Sequence, residues 1–270
     1  MNLDTLHAFE GEVRKTVPQF KLAYKDQSAF MKVLGFFMTA FNPGFMTDYT
    51  TTIGNTVYFP TQSFYEIQTR ASFTVLAHEM VHMVDGQKNG PLFKLSYLFP
   101  QILGPIAIAV YIALARLHSW PLAILAGGLV LACWLAKKST VAFWIALGLA
   151  FVGSSALLVW LSGWLSAVYF GGLALFAPWP APWRTKWEGR GYVMSLAVLA
   201  WMDGPPPIVA LDHVTEYFTG SFYYFMSWSK PAVENMLNAG IAGAQSGALQ
   251  KEQPYGQVYD FLAAQGQLRK

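Results

Sequence analysis

The apolar positions of this chain change their spacing several times along its length. Residues 1–30 are polar and mixed, and Val33 to Phe41 is an apolar run of nine residues that stops at Asn42-Pro43-Gly44. Nine residues are too few to cross a bilayer, so the run reads as a core or interface-lying helix, and the polar start offers no signal peptide. From Asp48 to Pro60, β-branched and aromatic residues flank Gly54-Asn55, which predicts a β-hairpin. Ser63 and Glu66 have the spacing of a capping box for a short helix. Arg70 to Val84 then takes a helical period, with Gly86 as the expected C-cap.

The longest apolar stretch follows. Leu98 to Ala177 spans 80 residues, interrupted at His118-Ser119, Lys137-Lys138 and Ser162-Gly163 and ended by Pro178-Trp179-Pro180. A spanning helix takes about 20 apolar residues, so the stretch predicts four transmembrane helices. Beyond it, Glu188 opens a helical segment, Asp203 to Pro207 reads as a rigid turn, and Ile208 to Thr219 reads as another helix. The Gly/Ala/Gln-rich stretch Asn238 to Gln250 reads as a loose helix or a partly ordered tail.

Composition sharpens the division. Apolar residues make up 54% of the chain and charged residues only 12%. Between Leu95 and Trp183 lie 89 residues without one Asp or Glu, and with only Arg116, Lys137 and Lys138 as cations. The net charge of +3 is too small and too localised for a nucleic-acid surface, and the chain is too apolar and aromatic to be disordered. Cys133 is the only cysteine, so an internal disulfide is excluded. The expected organisation is residues 1–94, a membrane domain over 95–183, and residues 184–270.

Candidate chemistry sits just ahead of the apolar block, in His78-Glu79-Met80-Val81-His82. Residues four apart share a helix face, so both imidazoles can reach one metal ion, with Glu79 about 100° round as a base for water. With five His and eight Glu in the chain, the H-E-x-x-H pattern arises by accident with a chance of about 0.003. Zn²⁺ suits imidazole nitrogens and activates water at neutral pH. Two histidines leave a catalytic zinc short of one protein ligand. Asp85 lies on the same stripe, where it is better placed to orient an imidazole from behind than to bind. Glu188, Glu216 and His213 are the other candidates, and Glu188 also fits an interfacial charge beside Arg184, Lys186 and Arg190.

A hairpin followed by an H-E-x-x-H helix resembles the zincin metallopeptidases. That resemblance implies that Thr56, Val57, Tyr58 and Phe59 form an edge strand holding an extended substrate. A glutamate opening a second helix resembles the gluzincin pattern, which implies Glu188 as the third ligand. The residue four later in that pattern is often Asp; here it is Tyr192, which implies a phenol supporting a histidine. The resemblance also implies a donor to the reaction's oxyanion, for which His213, Tyr223 and Tyr224 are candidates. The order of elements is similar to that of membrane zinc proteases related to the prenyl-CAAX endoprotease and the heat-shock membrane protease.

These readings combine into one expectation. The fold class is mainly α, a zincin-like catalytic layer with a small β-hairpin, interrupted by about four transmembrane helices. The function is an integral-membrane zinc metalloendopeptidase acting on a peptide or protein, with a lipid bilayer and no nucleic acid as partners. An even number of spans puts His78, His82 and Glu188 on one side of the bilayer, and the positive-inside tendency makes that side cytosolic. The alternative is a non-enzymatic membrane scaffold or adaptor with a structural or vestigial metal site.

Overall fold

The computed structural model describes residues 1–39, 43–99, 180–220 and 225–269, with isolated positions between 128 and 160. It divides into two compact units, residues 1–98 with 180–270, and residues 99–179. The two expected flanking domains are thus one unit, interleaved around a shared core.

In that unit, α1 (Leu3–Thr16) is capped by Asn2, whose side chain accepts from the Thr5 N–H at 2.9 Å. It buries Leu6, Phe9 and Val13, spaced along one face. β1 (Lys21–Tyr24), α2 (Ala29–Met38, capped by Ser28), β2 (Thr51–Ile53) and β3 (Thr56–Phe59) follow. Then come α3 (Gln62–Ile67), α4 (Thr69–Asn89) and α5 (Pro91–Leu98). After residue 179 the unit resumes with α6 (Pro182–Asp203), α7 (Ile208–Thr219), α8 (Lys230–Ser246) and α9 (Tyr255–Ala264).

Several expectations need correction here. The hairpin forms across Gly54, which adopts a positive φ of 63°. It belongs to a three-stranded sheet ordered β1-β3-β2, with β1 parallel to β3. Residues Thr56, Val57, Tyr58 and Phe59 therefore form the central strand. Both of its edges are paired, so it cannot accept a substrate strand. The first helix after the sheet is capped by Thr61, not Ser63, through a 3.0 Å bond from the Phe64 N–H. The long helix continues past Gly86 and ends at Gly90, φ 58°, and within it Asp85 pairs with Arg190 of α6. Asn238 to Ser246 is an integral part of α8.

The expected inserted transmembrane domain and multi-pass location are also corrected: among the described residues no helix is long and apolar enough to cross a membrane. The longest helices, α4 and α6, have the length, but they carry Arg70, Glu79 and Asp85, and Arg184, Glu188 and Arg190. A span must be apolar as well as long. The four segments proposed within 98–177 lie almost wholly outside the described residues.

The core gathers around α4 and α6. Phe9 and Phe73 lie 4.3 Å apart by ring centroid, and Phe261 of α9 closes the cluster at 5.1 Å from Phe9. Helices α4 and α6 run antiparallel. Arg70 at the start of one pairs with Asp203 at the end of the other, and Asp85 pairs with Arg190 at 2.8 Å. On the far side α6 meets α8 closely through glycine: a Cβ on Gly240 would stand 2.5 Å from Val193. Replacing Gly240 by Ala should therefore cost about 1–3 kcal/mol. Gly11→Ala in α1, where nothing lies within 4 Å, should add about 0.5–1 kcal/mol. Urea unfolding of the two variants measures both signs.

Candidate metal centre

Helix α4 places His78 and His82 one turn apart, and both are buried, at 8% and 7% exposure. Glu188, near the start of the antiparallel α6, is 2% exposed and reaches the same point. The nitrogens His78 Nε2 and His82 Nε2 are 3.0 Å apart, and each lies 3.6 Å from Glu188 Oε2. A tetrahedral ion with bonds of about 2.0–2.1 Å separates its ligand atoms by about 3.3–3.4 Å, a value these distances bracket. The three side chains form a cluster that could hold a metal ion. Three electron-pair donors facing one another in a buried spot repel unless a cation or a proton lies among them.

The electrostatics point the same way. Burial alone would raise the Glu188 pKa, but pairing with His78 and His82, and the charges of His82 and Arg184, hold it well below the usual carboxyl range. Burial alone would push His82 down, but Glu188, with help from Glu79 and Asp85, raises it above its ordinary value. This pairing is fully present in the metal-free fold between pH 4.5 and 6.5. It fades on the acid side as pH falls through the lowered Glu188 value, and on the alkaline side as pH rises through the raised His82 value.

The side chains around the cluster differ in part from those the sequence suggested. His78 Nδ1 lies 3.3 Å from Ser195 Oγ, so a serine two turns beyond Glu188 orients this ring. Tyr192 meets the His78 ring edge-on at 4.8 Å between centroids, so its ring packs against the imidazole. Gly191 faces the same ring: a Cβ there would stand 2.5 Å from Nε2, so glycine is what lets α6 approach. Asp85 accepts from Arg190 Nε, which ties it to α6, and its charge reaches His82. His82 Nδ1 is buried without a hydrogen-bond partner among the described residues.

Two further groups had no sequence signal. Tyr97, on α5, donates a hydrogen bond to Glu188 Oε1 and packs edge-on against His82. Lys25, fully buried after β1, donates to the Phe45 carbonyl at 2.5 Å; burial pushes its amine down to about 8 while Glu79 pulls it back up. Tyr97 comes from the next helix and Lys25 from after β1, and no local pattern in the sequence marks either.

Glu79 is half-buried beside the cluster and outside it; its charge acts on both His82 and Lys25. His213 and Glu216 are exposed on α7 and do not join the cluster. His213 Nε2 lies 2.9 Å from Tyr217 Oη, Tyr217 stacks on Tyr192 at 5.8 Å, and Tyr192 meets the His78 ring at 4.8 Å. Tyr223 and Tyr224 lie outside the described residues. Comparison with known proteins finds no matching family model, no matching curated protein and no matching solved structure.

Gly191→Ala should displace the His78 ring and weaken the binding of a divalent metal ion to the cluster by at least about 10-fold, without unfolding the chain. Competition with a chromophoric chelator measures the affinity, and an unchanged value contradicts the close approach described. A divalent ion takes only neutral imidazole, so its binding should compete with protonation of His82, whose pKa Glu188 raises. Calorimetric titration in buffers of different ionisation heat should show proton release, with affinity falling as pH is lowered.

Proposed function

We propose that this chain is a zinc-dependent metallopeptidase that hydrolyses peptide bonds with activated water. The observation that carries the reading is the buried triangle of His78 Nε2, His82 Nε2 and Glu188 Oε2, with the Glu79 carboxylate beside it and outside it. Two imidazoles and one carboxylate are one of the donor sets of catalytic zinc sites, which keep one position open for water or substrate.

A bound zinc ion would supply Lewis acidity, which polarises a carbonyl and makes water acidic near neutral pH. The protein's own groups do the rest. His78 and His82, held one turn apart on α4, fix the ion's place, with Ser195 orienting the first ring. Glu188 neutralises charge from the opposing helix. Glu79 takes the proton of the attacking water on its carboxylate and passes it to the departing amine, so the peptide nitrogen leaves as a neutral group. Burial of the three ligand side chains excludes bulk water and strengthens each of these interactions.

Glu79→Gln should keep one zinc per chain and lose hydrolysis of a fluorogenic casein by about 10²–10⁴-fold. His78→Ala, His82→Ala and Glu188→Ala should lose both zinc and activity. A Glu79→Gln protein that carries zinc and cuts undiminished would remove Glu79 from the mechanism. A wild-type protein that binds zinc and cuts nothing would favour a structural or vestigial site.

A further inference from the structure

The two oxygens of Glu188 have different neighbours. Oε2 faces both imidazole nitrogens, at 3.6 Å each. Oε1 accepts the Tyr97 phenol, and Arg184 Nε stands 3.9 Å from it. Tyr97 is itself held on several sides. The Arg184 guanidinium lies over its ring at 5.2 Å, Phe93 packs against it at 5.6 Å, and the His82 ring meets it edge-on at 5.8 Å. Helix α5 is anchored beside it, since Trp187 Nε1 donates to Ser96 Oγ at 3.0 Å. The phenol is thus fixed by packing and is not a loose surface group that happens to touch a carboxylate.

The consequence is chemical. A carboxylate free at both oxygens can rotate or bind an ion through the pair, which suits larger ions that collect six or more oxygen and water ligands. A carboxylate with one oxygen already engaged offers a single donor, which suits a small four-coordinate ion held mainly by nitrogen. We propose that Tyr97 sets the ion preference of this centre, by engaging Glu188 Oε1 so that only Oε2 is presented alongside the two imidazoles. Tyr97 is a positioning residue here, acting through Glu188. The inference rests on the metal centre of the proposed function and is independent of its peptide chemistry.

The test uses the full chain, stripped of metal and titrated with zinc, cobalt(II) or manganese(II) alone. Tyr97→Phe keeps the ring, its packing and its cation contact, and removes only the phenol. It should weaken zinc about 10–100-fold and narrow the preference for zinc over manganese(II) by at least about 10-fold. The visible spectrum of the cobalt(II) form should lose intensity as the site departs from four-coordination. Tyr65→Phe, which removes a phenol bonded to Glu10 at 2.9 Å outside the His78–His82–Glu188 cluster, should keep zinc affinity within about twofold of wild type. Unchanged affinity ratio and cobalt spectrum in Tyr97→Phe overturn the inference, and so does an equal loss in Tyr65→Phe. Wild-type protein that binds no zinc overturns the centre itself. Wild-type protein that binds zinc with the expected preference but hydrolyses nothing leaves the inference standing and removes only the peptidase reading.

Discussion

The contact between antiparallel α4 and α6 is the constraint on which the rest of this unit depends. It brings two imidazoles from one helix and a carboxylate from the other into one buried volume. Burying such groups costs several kcal/mol apiece unless they are paired. The fold meets that cost with charge pairing: Glu188 is held ionised and His82 is biased towards its protonated form. At either end the helices are tied by Arg70 with Asp203 and by Asp85 with Arg190. Close approach is possible because Gly191 presents no side chain to His78. A cation held among the three side chains would supply neutralising charge at the same point.

The residues supporting this contact come from every part of the unit. Tyr97 reaches Glu188 from α5, Lys25 lies buried after β1 within reach of the Glu79 charge, and Tyr255 of α9 donates to the Arg190 carbonyl at 2.9 Å. The chain segments before residue 99 and after residue 179 thus build one centre between them. Glu79 lies outside the cluster, and its charge acts on both His82 and Lys25.

Legibility followed distance along the chain. His78, Glu79 and His82 are visible because helix geometry alone sets their relation. Glu188 could be singled out by residue type and position, but its distance to the histidines is a property of helix packing. Ser195 and Gly191 share a face with Glu188 at spacings of seven and three, a signal present in the sequence but meaningless until the facing ring is known. Tyr97 carries no such signal. Two errors have a similar origin. The alternation over Thr56 to Phe59 marks a strand but does not reveal whether its edges are free, and pairing with β1 settles that. The low charge of 95–183 marks an apolar segment, whereas a membrane span also requires one long, uninterrupted apolar helix, and none is found among the described residues.

Sequence by itself determined the local facts: the H-E-x-x-H face, the turn at Gly54, the helix from Ile208 to Thr219, and the confinement of every acidic residue to the two flanks. Each follows from backbone period, turn preference or composition within a few residues. Tertiary structure alone decided which carboxylate oxygen faces the imidazoles, which hydroxyl stands behind His78, and that Thr56 to Phe59 is central rather than at the edge. Those outcomes depend on how distant segments pack, and packing is set by the sum of many contacts that no short window of sequence contains.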